Sequence, residues 1–313
     1  MIIGENMKKI MSLIILLSIL IFIILYRNAI VTHIINNWIY TKEIVIKETN
    51  QYTHANNYDF VQITDNFYPK NKQDLLNIIY TYLNNGWQEF TFYCSEEYKD
   101  CLTNTTQIIN DKTILSNINN FVHPYNSYSK LYIKTNNLGK ITIKKEKLYT
   151  EEEITQLNIK IDEILATIIT PNMTTKEKIK SIHDYIINHT IYDQESANNV
   201  ELSIENPETL VSHKAIGPLI YGLGTCGGYS DTMAIFLNKL GIQNYKIANE
   251  SHVWNLINLD GTWYHLDLTW DDPVLDTKEN ILIHDFFLIS TNELHQKDPK
   301  KHLFNTTIYK EAS

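Results

Sequence analysis

The fold of this chain is decided by residues 251–270, SHVWNLINLDGTWYHLDLTW. The dipeptide Asp260-Gly261 lies between two runs of strand-forming residues, a pattern typical of a β-hairpin with a two-residue turn. In that register Trp254 lies opposite Asp267, and His252 is a diagonal neighbour of Asp267 on the same face. Diagonal neighbours have backbones about 7–8 Å apart, which two medium side chains can bridge by a hydrogen bond. A three-residue loop would instead place His252 and Asp267 on opposite faces.

A cysteine motif precedes the hairpin. Residues 222–230, GLGTCGGYS, are followed by apolar residues at helical spacing and then by Gly241, which predicts a helix that begins at or just before Cys226. The positive end of a helix dipole favours a thiolate over a thiol. The flanking glycines let a substrate backbone approach, and their N–H groups can bind an oxyanion.

These residues are the types that cysteine nucleophile catalysis needs. Cys226 would attack, His252 would pair with the thiolate and protonate the leaving group, and Asp267 would orient the imidazole. His265 lies on the same strand face and is a rival for the role of the histidine. From the residues alone, a buried structural cysteine and structural strand residues remain the alternative interpretation.

The motifs resemble those of the transglutaminase-like superfamily, a branch of the papain-like cysteine enzymes. The matching segments are GTCGGY (224–229), HVWN (252–255) and WYHLDLTWDDP (263–273). The resemblance covers residues 174–289 and implies an α+β fold, in which a helix bearing Cys226 packs on an antiparallel sheet bearing His252 and Asp267. It implies that Cys226 is the nucleophile, His252 the base and Asp267 the orienting acid, and it leaves no role for His265.

The resemblance implies a chemistry more firmly than a substrate. We expect a thiol enzyme that acts on amide bonds of proteins or cell-envelope peptides through a thioester, by hydrolysis or acyl transfer. The alternative is a catalytically inactive binding or scaffolding module with the same fold. Many bacterial relatives carry Gln where this chain has Gly227. The second oxyanion donor stays unassigned, since neither Tyr221 nor His213 is adopted, and we expect neither a cofactor nor a metal.

The N-terminus predicts a membrane anchor. An uncharged apolar run over residues 10–26 follows Lys8 and Lys9 and precedes Arg27, and residues 28–31 can extend the helix. We predict a transmembrane helix over residues 10–31, with residues 1–9 in the cytoplasm and the C-terminal region outside the cell. A cleaved signal peptide is the alternative, although no small-x-small cleavage site follows the apolar core.

The remaining chain divides into two predicted domains. Residues 43–150 are expected to form a small α+β domain, and residues 151–313 the transglutaminase-like domain. Within the first, a short strand is predicted over residues 43–48. The sequence also predicts helices over 71–83, 151–169 and from 175 onward, a strand over 89–93, and a hairpin of strands 131–135 and 140–144.

Composition limits the partners and the compartment. The 313 residues include 43% hydrophobic and 20% charged residues, as expected for a globular protein with a sizeable core. The net charge of −9 is spread along the chain and no basic stripe occurs, which argues against nucleic acid. Cys94 and Cys101 either form a disulfide, as export would favour, or remain two buried thiols. Abundant Ile, Asn and Lys indicate a bacterial source.

Overall fold

The computed structural model describes residues 2–34, 43–198, 211–273 and 282–313. The chain divides into two compact units, Met1–Val45 and Ile46–Ser313. The first unit contains helix α1 (Ile2–Ile34). Within it, Met11–Val31 is long and apolar enough to cross a membrane, with a mean hydropathy of 2.5. A secretory signal sequence has the same properties, so this helix fits an anchor or a signal.

The second unit begins with helices packed around a three-stranded antiparallel sheet of order β1-β3-β2. Its elements are α2 (Lys72–Asn84), β1 (Glu89–Tyr93), α3 (Cys101–Asn110), α4 (Lys112–Asn119), β2 (Tyr128–Thr135) and β3 (Lys140–Lys147). The predicted helix over 71–83 is confirmed, with Asn71 as its N-cap: the Asn71 side chain accepts a hydrogen bond from the amide of Asp74. The predicted hairpin is also present, because β2 and β3 pair antiparallel.

Two further segments of this part of the chain can be compared with the sequence expectations. No strand forms over residues 43–48, so that prediction is wrong. Alternating apolar residues make a strand only where they pair with another strand. Residues 43–48 are not part of the sheet β1-β3-β2. Cys94 and Cys101 form a disulfide, which resolves the alternative that the sequence left open.

The following part of the unit supplies the helices and the sheet that carry the site. Its elements are α5 (Glu151–Ile168), α6 (Thr175–His189), β4 (Ile191–Tyr192), α7 (Gln194–Asn198), a π-helical turn (Gly217–Tyr221), β5 (Leu223–Gly224), α8 (Cys226–Lys239), β6 (Asn244–Ala248), β7 (Val253–Leu259), β8 (Thr262–Leu266), β9 (Phe287–Ile289) and α9 (Thr291–Lys297). Strands β4 and β5 pair in parallel, and the antiparallel sheet has the order β6-β7-β8-β9. Capping boxes at Thr150 and Thr174 begin α5 and α6.

The hairpin formed by β7 and β8 has the predicted register. Leu259 pairs with Thr262, and Asn255 pairs with Leu266. The two turn residues both have positive φ, 53° at Asp260 and 89° at Gly261, as a type I′ turn requires. The predicted two-residue loop is therefore confirmed, and with it the face on which His252 and Asp267 lie.

One hydrophobic core joins the segments that the sequence assigned to two domains. Tyr125 and Tyr149 pack with apolar residues of α5, α6, α8, β7 and β8 in a single buried cluster. The hydroxyl of buried Tyr149 donates to Asp231 at 2.7 Å, and the amide of Lys246 donates to the carbonyl of Asn120. The division into domains at residue 150 stays a prediction, but the two segments pack as one compact unit. The predicted α+β class and the packing of the cysteine-bearing helix on an antiparallel sheet are confirmed.

Candidate active site

Cys226 is the first residue of α8, as the sequence predicts, and its side chain is partly exposed. The first N–H groups of a helix have no partner inside it, so they point toward whatever lies at its N-terminus. Gly228 lets this end approach the preceding turn closely, since a Cβ there would lie 2.3 Å from the carbonyl oxygen of Ser212. This close approach of α8 to the turn therefore requires a glycine at position 228.

The structure brings all three predicted residues together. His252 Nε2 lies 2.5 Å from Asp267 Oδ2, and Cys226 lies close enough to the same imidazole to help raise the pKa of His252. Because Nε2 is taken by the carboxylate, Nδ1 is the nitrogen left to face the sulfur. The His252 side chain is 8% exposed and that of Asp267 1%, so this contact is shielded from water.

The electrostatics of the pair favour a charged histidine. Burial alone would lower the pKa of His252, but the charge and hydrogen bond of Asp267 and the contact with Cys226 raise it to about 10. Burial would likewise raise the pKa of Asp267, yet the histidines that donate to it hold that pKa well below its ordinary value. An imidazolium between a carboxylate and a thiol is the arrangement that stabilises a thiolate.

Side chains of the sequence motifs connect the elements that carry the three residues. Tyr229, three residues after the cysteine, donates its hydroxyl hydrogen bond to Asp272. Asn255 Nδ2 donates to the carbonyl of Ser230 at 3.0 Å, which joins β7 to α8. The ring of Trp254 stacks on His252 with centroids 5.6 Å apart. The motif residues therefore fix the distance between the thiol and the imidazole.

His265 has a structural role instead. Its Nδ1 accepts a hydrogen bond from Trp254 Nε1 at 3.0 Å, and its Nε2 lies 2.9 Å from the hydroxyl of Thr291. It is fully buried, and burial lowers the pKa of His265 to about 3, with the charge of nearby His302 acting in the same direction. A neutral ring held on both nitrogens cannot serve as the base for Cys226.

Two residues of the site are not predicted from the sequence. His302 Nε2 lies 2.8 Å from Asp267 Oδ2, the same oxygen that binds His252. Nothing in the spacing indicates this contact, because His302 follows Asp267 by 35 residues in an irregular segment. Tyr192 pairs with Gly224, two residues before Cys226. Burial, and then the nearby charges of Cys226 and Asp267, raise the pKa of Tyr192 to about 12.

The two side chains considered for the oxyanion hole lie in different environments. His213 Nδ1 lies 3.0 Å from the hydroxyl of Thr225, the residue before the cysteine, and burial lowers the pKa of His213. Tyr221 is 62% exposed at the end of the π-helical turn. A Cβ on Gly227 would lie 3.0 Å from the carbonyl oxygen of His213, a close contact that the glycine avoids.

One group of side chains away from Cys226 has atoms of the types that bind metals. His183, Asp184 and His284 place such atoms within 4.8 Å of one another. The two histidines lie 2.9 and 2.7 Å from one oxygen of Asp184, and Lys180 pairs with the other at 2.5 Å. Burial would raise the pKa of Asp184, but the hydrogen bonds from these partners hold it below its ordinary value. Side chains of the chain itself therefore balance this charge, and we assign no metal to the group.

Part of the chain is similar to known proteins. Residues 162–268 match the family described as the transglutaminase-like superfamily. Kyphoscoliosis peptidase of Homo sapiens and that of Mus musculus are each 21% identical to this chain over 157 residues. Each match covers 44% of this chain and 22% of the relative, so the chain aligns with about a fifth of the length of these proteins.

A solved structure described as a crystal structure of a TGase is also similar. It is 18% identical, the match covers 46% of this chain and 44% of that one, and the TM-score is 0.34. The family match contains Cys226, His252 and Asp267, and it ends one residue after the aspartate. Residues 162–268 of this chain are a transglutaminase-like domain and belong to that superfamily.

Proposed function

We propose that this protein is a thiol enzyme that cleaves amide bonds of proteins or cell-envelope peptides through a thioester on Cys226. One observation carries the proposal: the imidazole of His252 is hydrogen-bonded to the carboxylate of Asp267 and lies next to the thiol of Cys226. A dead binding domain of the same fold has no need to keep a buried charged pair beside a partly exposed thiol. Such pairs at a cleft are typical of functional sites.

The first half of the reaction follows from the positions of the three side chains. The sulfur of Cys226, with its proton on His252, attacks the carbonyl carbon of the amide, and free N–H groups at the start of α8 stabilise the oxyanion. The C–N bond then breaks, His252 gives its proton to the departing amine, and a thioester remains on Cys226. Asp267 keeps the imidazole oriented throughout.

The second half requires an acceptor for the acyl group. Water or a primary amine, deprotonated by His252, attacks the thioester, and the S–C bond breaks to restore the thiol. The relatives that match this chain are named peptidases, which supports peptide bonds as the substrate class and hydrolysis as one outcome. Transfer to an amine is the other outcome, and the acceptor decides between them.

The first test measures the reactivity of Cys226 in the full-length chain in detergent. An ordinary cysteine thiol has a pKa of about 8.5 and reacts slowly with iodoacetamide in acid, whereas a thiolate paired with an imidazolium reacts rapidly near pH 6. We expect rapid labelling near pH 6 that is lost in His252→Ala. Slow labelling of both proteins, with folding intact, would contradict the proposed thiol activity and favour a catalytically inactive binding module.

A second test separates the two outcomes of the reaction. Incubation of the protein with a glutamine-containing protein and a fluorescent primary amine reports transfer as covalent fluorescence, and peptide fragments report hydrolysis. Both products should disappear in Cys226→Ala. Neither product from the wild-type protein across a panel of protein and cell-envelope peptide substrates would contradict amide chemistry.

We further propose that α1 anchors the protein in the cell membrane by a single span, with the C-terminal region outside. The apolar segment Met11–Val31 and the disulfide between Cys94 and Cys101 support export. The expected result is a protein that stays with membranes after alkaline extraction, keeps its original N-terminus, and is digested by protease added to intact cells. A mature protein that begins after residue 31 would show a cleaved signal sequence instead.

A further inference from the structure

The C-terminal segment that follows α9 places a second histidine on the candidate catalytic carboxylate. His302 is fully buried, and its Nε2 lies 2.8 Å from Asp267 Oδ2. Its Nδ1 lies 2.8 Å from Oδ2 of Asp298. The segment lies beyond the residues that match the superfamily, which end at 268. This contact to the site therefore comes from a part of the chain outside the family match.

Both oxygens of Asp267 are engaged. Oδ2 accepts from His252 and His302, and Oδ1 accepts from the backbone amides of Thr269 at 2.9 Å and Trp270 at 3.3 Å. A carboxylate held at both oxygens cannot rotate about its terminal bond without breaking several hydrogen bonds. Loss of the His302 contact would free one side of Oδ2.

The proton positions on His302 follow from its two partners. Asp267 is ionised, so the ring nitrogen that faces it must carry a hydrogen. Burial acts against ionisation of Asp298, but the hydrogen bonds from His302 and from the amides of Lys300 and Lys301 lower the pKa of that carboxyl. The ring of His302 therefore lies between two ionised carboxylates, each 2.8 Å from one of its nitrogens.

The surroundings of the ring prevent it from turning away. Three aromatic rings enclose it, with centroid distances of 5.0 Å to Trp254, 4.8 Å to Trp270 and 5.2 Å to Phe286. On both sides of His302, the backbone carbonyls of residues 301 and 303 accept hydrogen bonds from Asn249 Nδ2, at 2.6 and 3.0 Å.

Asn249 also connects this segment to the base. Its side-chain oxygen accepts hydrogen bonds from the amides of Ser251 and His252, both at 3.0 Å. The same side chain therefore holds the turn that presents His252 and the segment that presents His302. The two imidazoles are thereby fixed relative to each other, with ring centroids 5.3 Å apart.

We propose that His302, as an imidazolium held between two carboxylates, is a positioning residue, which keeps Asp267 in the orientation that His252 requires and offsets part of its negative charge. The inference rests on the proposed thiol chemistry. The positive charge of His302 draws on the same oxygen that binds the His252 proton, so it weakens the hold of Asp267 on that proton. The titratable groups that face His302 or its partner Asp267 are His252, His265, Asp298, Tyr192 and Asp271.

The test uses the full-length chain in detergent and four variants. His302→Gln retains an N–H donor without the charge, His302→Phe removes both, and Asp298→Asn removes the outer carboxylate. His295→Gln is the matched control, because His295 lies in the same C-terminal region and makes its ring contact with Phe304. Two quantities are measured: the iodoacetamide rate of Cys226 near pH 6, and the titration of His252 by NMR with labelled histidine.

We expect His302→Phe to lower the labelling rate by about tenfold or more, as expected for a misplaced base, and His302→Gln to restore most of it. The titration midpoint of His252 should rise in His302→Gln by about one pH unit, because a nearby positive charge is lost. Asp298→Asn should move it less, since the ring still donates to Asp267. His295→Gln should change neither quantity.

The outcomes separate this inference from the proposed function. An unchanged rate in folded His302→Phe, together with an unchanged His252 titration in His302→Gln, would overturn the positioning role. Slow labelling of the wild-type protein would overturn the thiol enzyme, while the His252 titration would still test whether His302 acts on Asp267. If His302→Phe does not fold, the glutamine variant alone decides, because its His252 midpoint either rises or stays.

Discussion

At the scale of single residues, the environment gives two histidines of one hairpin opposite roles. His252 meets a carboxylate and a thiol, and its pKa is raised to about 10. His265 meets the N–H of Trp254 and the hydroxyl of Thr291, and its pKa is lowered to about 3, chiefly by burial. The residue type is the same, but of the two only His252 is hydrogen-bonded to a carboxylate that stabilises its charge.

We therefore predict that His265→Leu destabilises the protein without changing the chemistry of Cys226. The buried N–H of Trp254 would lose its acceptor, which should cost about 1–3 kcal/mol of the free energy of unfolding. Denaturant unfolding measures this cost, and iodoacetamide labelling near pH 6 measures the thiolate. His252→Leu is the matched control and should abolish rapid labelling. Loss of labelling in folded His265→Leu would contradict the assignment.

At the scale of elements, the site depends on the packing of helix α8 on strand β7. The helix supplies Cys226 at its first turn, and the strand begins directly after His252. Asn255 joins the two by its hydrogen bond to the carbonyl of Ser230, and it is 1% exposed. This buried contact therefore helps to hold the thiol close to the imidazole.

We predict that Asn255→Ala slows the labelling of Cys226 near pH 6 as well as reducing stability. The carbonyl of Ser230 keeps its partner within the helix but loses this second hydrogen bond, at a cost of about 0.5–1.5 kcal/mol. Asn258→Ala is the control on the same strand, since the Asn258 side chain is hydrogen-bonded to Gln243 and to the amide of Gly261 in the hairpin turn. Equal labelling rates in the two variants would show that Asn255 does not align the site.

At the scale of the whole molecule, residues 46–313 pack as one unit around a core that contains buried charge. Lys145 on β3 is 2% exposed, and its Nζ donates to the carbonyl of Asn126 at 2.5 Å. Burial, and to a lesser degree the charge of Lys147, lower the pKa of Lys145 to about 7. The folded protein therefore releases this proton several pH units below an ordinary lysine.

We predict that this lysine makes stability increase with pH above 7. Between pH 7 and about 10 the unfolded chain binds the proton and the folded chain does not, so the free energy of unfolding rises with pH. The wild-type protein should therefore gain stability over Lys145→Met in this range. His252 titrates with the opposite sign in the same range, since its pKa is raised, but both proteins contain it and its effect cancels.

The control for this measurement is Lys144→Met, which removes an exposed lysine from the same strand. Its stability relative to the wild-type protein should be independent of pH between 7 and 10. Urea unfolding at several pH values measures all three proteins. A flat difference between the wild-type protein and Lys145→Met would show that Lys145 stays charged in the folded state.

The local geometry of the site follows from sequence because it depends on neighbours along the chain. Asp260-Gly261 sets the hairpin register, the register sets the face of His252 and Asp267, and the glycines after Cys226 mark the start of a helix. The N-terminal apolar helix is predictable for the same reason. The strand expected over residues 43–48 fails because a strand needs a partner from elsewhere in the chain.

Only the tertiary structure decides which distant residues complete the site. Sequence determines the hairpin, the helix that carries Cys226 and the pairing of His252 with Asp267, since each rests on backbone periodicity and turn chemistry. No periodicity relates Asp267 to His302, which is brought to it by the packing of the C-terminal segment against Trp254, Trp270 and Phe286. Tertiary packing likewise buries Lys145 and His265, and burial rather than residue type determines their charge.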